Sequence, residues 1–263
     1  MRRTARSILV GALLVPAATL SLVLSSAGAA TAIANGEPVP DGRYRFAVKL
    51  TMTGIPTAGG GRRNSACSGA LIAPEWVITA GHCFRDADNV RVNYPVADLT
   101  TATVGRTDLT GTGGHELTVV AVIQSPTADV SLARLEAPVR DIRPLRVGHR
   151  PPRIGAVVRV TGYGSTTSVN PAPVTRLRTG QMTVVSLSDS VTGLQGYAPQ
   201  PDTTPCPYDS GAPFFLERGK ARPVLVSVVS NGPSCPHTAV ESSARTDNIA
   251  AWIRSSIRAG GAA

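Results

Sequence analysis

Cys67-Ser-Gly-Ala-Leu-Ile-Ala-Pro-Glu-Trp-Val-Ile-Thr-Ala-Gly-His82-Cys83 is the stretch whose pattern decides the fold. A strand, a turn at Pro74-Glu75 and a second strand end on Thr-Ala-Gly-His-Cys. Taken singly, His82 fits a structural imidazole and Cys83 an ordinary disulfide partner. Two cysteines flanking a hairpin that ends on a histidine form a far more specific pattern.

Outward from this hairpin the chain stays strand-like. Arg43 to Leu50, Trp76 to Thr79, Leu117 to Ile123 and Val130 to Leu135 are rich in β-branched and aliphatic residues. Val157 to Thr161, Thr183 to Val185 and Val224 to Val229 continue the theme. With 26 Gly and 21 Pro breaking these runs at short intervals, the pattern predicts a β-barrel or sandwich rather than a helical bundle. Ala58 to Arg63 is a glycine-rich surface loop. It lacks the following helix and the Lys-Ser/Thr of a phosphate loop. The proline-rich stretch from Glu136 to Pro152 has no apolar periodicity and is the candidate linker between two halves. A helix is expected only at the end. Asp247 is its candidate cap, Ile249, Trp252, Ile253 and Ile257 recur at helical spacing, and Gly260 and Gly261 stop it.

The start of the chain is a separate object. Arg2, Arg3 and Arg6 precede an apolar run, Ile8 to Leu24, and small residues follow from Ser25 to Ala32. This layout predicts a secretory signal peptide over residues 1–32, removed from the mature protein. The 17-residue run is short for a membrane span of ~20 residues. No later run is long enough either, so no membrane association is expected once the signal is gone. Its removal takes three positive charges from the net +9 and leaves +6. Arg134, Arg140, Arg143, Arg146, Arg150, Arg153 and Arg159 concentrate the basicity without interleaved aromatics. A solvated basic surface fits this better than a nucleic-acid site. Four cysteines in an exported chain predict two disulfides, with three connectivities open, and no Cys/His spacing matches a zinc site.

Two further segments matter. Ala128-Asp129-Val-Ser-Leu-Ala-Arg-Leu135 places an aspartate at the entrance of an alternating strand, where a cap or turn residue is the commoner explanation. Cys206-Pro-Tyr-Asp-Ser210-Gly-Ala-Pro213 holds an Asp-Ser-Gly triplet, by itself a common turn, followed by Val229-Ser-Asn-Gly232 and Cys235. Together, in the order His, Asp, Ser, the three segments resemble the trypsin and chymotrypsin family. The likeness extends from Ile33-Ala-Asn-Gly36 to the terminal helix with Trp252.

The resemblance implies an all-β fold of two antiparallel Greek-key β-barrels, with the active site in the cleft between them and a C-terminal helix. The expected division is 33–140, carrying His82 and Asp129, and 141–263, carrying Ser210 and the helix. It implies a secreted serine endopeptidase acting on protein or peptide substrates, monomeric and without cofactor or metal. Ser210 would be the nucleophile, His82 the base and Asp129 its orienting partner. The backbone N–H groups of Tyr208 and Ser210 would form the oxyanion hole. The cysteines would pair as Cys67–Cys83 and Cys206–Cys235. A free amine on Ile33 would pair with Asp209. Ala30-Thr31-Ala32 is a cleavage pattern that would expose it directly, whereas cleavage after Ala29 would leave a three-residue pro-segment.

The substrate-binding positions are Thr204, Ser230, Gly232 and Glu241, and several depart from the family. Tyr208 stands where glycine is usual, Thr204 where trypsins are acidic, and Asn231 where Trp is usual. Glu241 falls where the pocket wall usually has Gly. It either supplies an acid for a basic side chain, partly fills the pocket, or faces solvent on a shorter loop. Two other functions compete: a homologue that keeps the triad but turns over weakly and acts by binding, and a basic protein that binds anionic polymers.

Overall fold

The computed structural model describes residues 32–219 and 221–261, so the expected signal peptide, save Ala32, lies outside the described residues. The first barrel is built from β2 (Ala47–Pro56), β3 (Arg62–Ala73), β4 (Trp76–Thr79), β5 (Leu99–Val104), β6 (His115–Gln124) and β7 (Ser131–Leu135), following the short β1 (Glu37–Pro38). It closes in the order β2-β3-β4-β7-β6-β5, each pair antiparallel. β8 (Arg146–Val147) lies in the chain leading to the second barrel. That barrel is β9 (Val157–Gly162), β10 (Arg178–Leu187), β11 (Val191–Ala198), β12 (Pro213–Arg218), β13 (Ala221–Asn231) and β14 (Glu241–Arg245). Its order is β10-β11-β14-β13-β12-β9, closed by β9 pairing with β10. β1 adds to β10, and β8 runs parallel to β13.

The β-branched runs became strands because alternate residues fill a barrel interior. Val158, Val160, Met182, Val184, Leu194, Phe214 and Val226 form the second barrel's core, and the Ile33 side chain joins them. The first barrel's core is larger. It reaches across the cleft to Tyr163, Phe215, Leu225 and Val228, and so binds the halves together. The α1 helix (Ala250–Gly260) follows the second barrel but packs Ile253 into the first barrel's core. Arg134 Nη1 donates to Gly260 O at 2.7 Å.

Two local expectations are corrected. The strand expected from Arg43 begins at Ala47, because residues 41–46 form turns in which Tyr44 takes a φ of 50°. Asp247 does not cap the helix with its side chain. Arg245 claims both carboxylate oxygens, at 3.1 and 2.7 Å, and the N-cap position falls to Ile249. Among the described residues no helix is long and apolar enough to cross a membrane.

Candidate active site

His82 sits in a single 3-10 turn, Gly81–Cys83, where the chain leaves β4. Asp129 precedes β7, the antiparallel neighbour of β4, so strand pairing brings the two together. Ser210 comes from the other barrel, in the loop before β12. His82 Nδ1 lies 2.7 Å from Asp129 Oδ2, and His82 Nε2 lies 2.7 Å from Ser210 Oγ. The His82 amide donates to Asp129 Oδ1 at 2.9 Å, and the Ser230 hydroxyl donates to Oδ2 at 2.7 Å. Burial alone would raise the Asp129 pKa. The hydrogen bonds and charge of His82, with the Ser230 hydroxyl, overcome it and hold the carboxyl down at about 2.

Ser68, next to Cys67 in the decisive hairpin, clamps the serine loop to the first barrel. Its amide donates to Ser210 O at 2.9 Å and its hydroxyl to Tyr208 O at 3.1 Å. Its Oγ in turn accepts from the Tyr163 amide at 3.0 Å. Cys67–Cys83 and Cys206–Cys235 are the two disulfides, one beside His82 and one tying the serine loop to the pocket wall. Bridges of this kind contribute about 2–4 kcal/mol each.

Such a close approach leaves no room after Ser210. Gly211 has a φ of 82°, and a Cβ there would run into Ser68 O, Ala80 N and Thr79 Oγ1. Gly211→Ala is therefore expected to destabilise the fold by roughly 2 kcal/mol or more. In thermal unfolding this is a loss of several degrees, accompanied by a fall in kcat; an unchanged Tm would contradict the clamp.

Tyr208 adopts the left-handed backbone, φ 73°, in which glycine is at ease. For a residue with a side chain this costs roughly 1–2 kcal/mol. Its ring turns towards Lys49, whose Nζ is 5.8 Å from the ring centroid, and its hydroxyl donates to Pro171 O at 3.4 Å. Among the described residues, neither the Tyr208 nor the Ser210 amide donates to another protein group.

A cleft of about 440 Å³ opens beside Ser210 and His82, with Cys206, Pro207, Val229, Gly232 and Glu241 in its walls. Cavities of about 520 and 610 Å³ touch no member of the His-Asp-Ser cluster, and one of about 540 Å³ is lined by His82 and Asp129 but not by Ser210, so chemistry rather than size selects the cleft. Thr204 is not part of this lining. It is buried behind the loop, bridged to Ala34 through N–H···O contacts of 2.9 and 3.3 Å. Glu241 does face the cleft and not solvent. It lies against Gly232, where any Cβ would meet its carboxyl group, and His237 Nε2 is 2.9 Å from Oε1. Burial, with the Asp209 charge behind it, pushes the Glu241 pKa up to about 8.

Asp209 is wholly enclosed, and burial pushes its carboxyl up to about 7 against the pull of its donors. The Cys206 amide donates to Oδ2 at 3.0 Å and the Gly164 amide to Oδ1 at 2.8 Å. The Ile33 backbone also favours the charged form. Ile33 is thus beside Asp209, as a peptide amide following Ala32. Sequence reasoning overlooked Ser68, His237 and Lys49. Ser68 lay in plain view after Cys67, and Lys49 interrupts the apolar run from Phe46 to Leu50.

The family model described as Trypsin matches residues 33–253. A protein C activator from Agkistrodon piscivorus leucostoma is 38% identical over 112 residues, 40% of this chain and 42% of its own. Serine protease 56 from Mus musculus is 26% identical over 228 residues, 77% of this chain and 35% of its own. A snake venom serine protease homolog from Bitis rhinoceros, rhinocerase 2, is 31% identical over 105 residues, 39% of this chain and 40% of its own. The chain spans about two fifths of the length of the curated relatives it matches. With one family model covering both barrels, this chain belongs to the trypsin family of serine proteases.

Proposed function

We propose that this protein is a secreted serine endopeptidase that cleaves peptide bonds through an acyl-enzyme intermediate. The observation that carries the reading is the continuous pair of 2.7 Å contacts, Ser210 Oγ to His82 Nε2 and His82 Nδ1 to Asp129 Oδ2. A serine hydroxyl is a poor nucleophile near neutrality and needs a base within hydrogen-bond reach. As Ser210 Oγ bonds to the scissile carbonyl carbon, its proton passes to His82 Nε2. The carbonyl electrons move onto oxygen, which the Tyr208 and Ser210 amides receive. Collapse breaks the C–N bond, His82 returns the proton to the departing amine, and water repeats the sequence on the ester. Asp129 holds the imidazole so that its free Nε2 faces Ser210, and it stabilises the imidazolium.

The charged, apolar and small segments of the first 32 residues, with two disulfides, support export from the cell. In this reading the mature monomer starts at Ile33, with halves 33–140 and 141–263 contributing the two sides of the site. Tyr208 in a glycine conformation favours a second reading, a homologue that keeps the triad yet turns over weakly and acts by binding.

Ser230, Gly232 and Glu241 form the primary pocket of this proposal, with Thr204 serving only as support behind it. Glu241 reads a basic side chain on the residue before the scissile bond. Its pKa of about 8 lies above that of an ordinary carboxyl, so the pocket becomes more anionic as pH rises through that value. A bound cation favours the ionised form, and kcat/KM for basic substrates should rise with pH over the same interval. Peptide-library cleavage by wild type and Glu241→Gly tests function and pocket together. Wild type should favour Arg or Lys at that position, and the variant should lose the preference by roughly 100-fold, the worth of a buried charge pair. Identical profiles would remove Glu241 from the pocket, and no cleavage of any library member would favour the binding homologue.

A further inference from the structure

The arginine-rich stretch of the sequence does not stay together in the fold. Arg134 donates to Gly260 O and Arg159 pairs with Glu217, so both are occupied. Arg146, Arg150 and Arg153 instead line one cavity of about 610 Å³, where Arg218 joins them from the end of β12. All four residues are exposed. His149 lines the same cavity, and no acidic residue does. Among the described residues, no carboxylate lies within 4.0 Å of any of the four guanidinium groups. Glu217, the chain neighbour of Arg218, is already taken up by Arg43, Tyr44 and Arg159.

The loop that carries three of these arginines is held against the sheet. β8 pairs with β13 at Arg146 and Val224, and the Gly148 amide donates to Leu225 O at 3.0 Å. A Cβ on Gly148 would meet Leu225 O at 2.8 Å, so the loop approaches β13 more closely than a residue with a side chain allows. Pro151 and the buried Pro152 stiffen the next step. At the far end the Gly155 amide donates to Val184 O at 2.8 Å. The arginines are thus presented by a fixed backbone, which lowers the ordering cost of binding. Between them lie the apolar side chains of Leu216, Val224 and Val226.

Guanidinium groups fork onto carboxylate oxygens, and an apolar floor accepts an aliphatic side chain. We propose that this cavity is a docking site for an acidic segment of a partner polypeptide. Its Asp or Glu side chains meet the four arginines, and an apolar side chain of the same segment rests on Leu216 and Val226. Three features favour this occupant over other polyanions. No aromatic side chain lines the cavity, so nucleic-acid bases have nothing to stack on. The basic field is also short. At the start of β13 another cavity, with Arg45, Arg143 and Arg222, holds Asp141 and Glu217 as well, and a long uniform polyanion would meet those carboxylates. A sulfated polysaccharide, finally, brings no aliphatic side chain to the floor. The site shares no lining residue with the cleft at Ser210, so the inference stands apart from the peptidase reading.

The experiment is fluorescence anisotropy with a short labelled peptide that alternates Glu with Leu. It is done on Ser210→Ala protein, so that the probe stays whole and the result does not depend on turnover. Binding should weaken as salt is added, and a probe with Gln for Glu should not bind. Replacing Leu by Gly in the probe should weaken binding about fivefold or more, the worth of a buried aliphatic side chain. Arg150→Glu with Arg153→Glu, and Arg218→Glu alone, should each weaken it about tenfold or more. Arg254→Glu with Arg258→Glu, on the exposed side of α1, makes the same change in net charge as the loop pair and should alter binding less than about twofold. If charge reversal lowers Tm, Arg150→Gln with Arg153→Gln repeats the test without adding acids. Unchanged binding in the loop and β12 variants overturns the proposal, as does an equal loss in the loop and helix variants. A Gly probe that binds as tightly as the Leu probe overturns the polypeptide occupant, and its displacement by heparin would then name a sulfated polysaccharide instead.

Discussion

Ser210→Ala is expected to leave a protein that melts like the wild type and cleaves peptide bonds on the order of 10⁶-fold more slowly. The stability half of this expectation follows from what holds the loop. Ser68 grips it through the backbone oxygens of Ser210 and Tyr208, and Gly211 donates through its own amide to Val229 O at 2.8 Å. None of these contacts involves the Ser210 hydroxyl, whose partner is His82 Nε2. Removing one oxygen atom therefore takes away the nucleophile and spares the scaffold. Residual turnover of roughly 10³–10⁴ over water should persist, supplied by the two amides and by substrate binding. A variant that keeps more than about one per cent of wild-type kcat would assign the chemistry to another group.

Asp129→Asn should have the next largest effect, a fall in kcat of about 10⁴-fold at neutral pH. Asp129 accepts three hydrogen bonds, two at Oδ2 from His82 Nδ1 and Ser230, and one at Oδ1 from the His82 amide. An amide group has only one oxygen to offer. With NH₂ facing the ring, His82 is driven to carry its proton on Nε2, where it cannot accept one from Ser210. KM should change little, because Asp129 does not reach the substrate.

The same substitution has a stability signature. The Asp129 pKa is lowered in the folded protein to about 2, so its contribution is fully present above the unfolded value near 4. The contribution is lost as pH falls through about 2. It amounts to about 2 kcal/mol. Wild type should therefore lose this much relative to Asp129→Asn between pH about 4 and 2, followed by denaturant unfolding. A constant difference across that interval would place the carboxylate outside the hydrogen-bonded arrangement.

Much of this architecture was legible because local patterns and chain order agreed. The hairpin from Cys67 to Cys83, the aspartate before β7 and the loop around Ser210 each carry a short, local signature. Pairing of β4 with β7 brings His82 and Asp129 together, and the second barrel supplies Ser210, held by Ser68. What stayed hidden was long-range. Alternation along β2 would put Lys49 at the surface, but Ala47, Val48, Lys49 and Leu50 are all buried, since this strand also faces the second barrel. A period of two cannot report burial on both faces. β11, Val-Thr-Gly-Leu-Gln-Gly-Tyr-Ala, and β14, Glu-Ser-Ser-Ala-Arg, lack the apolar alternation that marks a strand, so the Glu241 environment was open as well. Asp247 had the right residue type for a helix cap, and only the fold shows Arg245 already holding it.

Lys49, Asp209 and Glu241 are buried ionisable groups whose pKa values all move towards the neutral form. Each is a cost to folding that apolar residues would avoid. Their convergence behind the nucleophile is the pattern expected when a site, and not the core, dictates residue choice.

The central claim is that Ser210 is a nucleophile activated by His82. The most direct measurement is stoichiometric labelling of the protein by a fluorophosphonate, with the modified residue located by peptide mass spectrometry. The account predicts one label per chain, on Ser210 Oγ, abolished by His82→Ala and greatly slowed by Asp129→Asn. A chain that begins at Ile33 and takes no label, or takes it elsewhere, would contradict it.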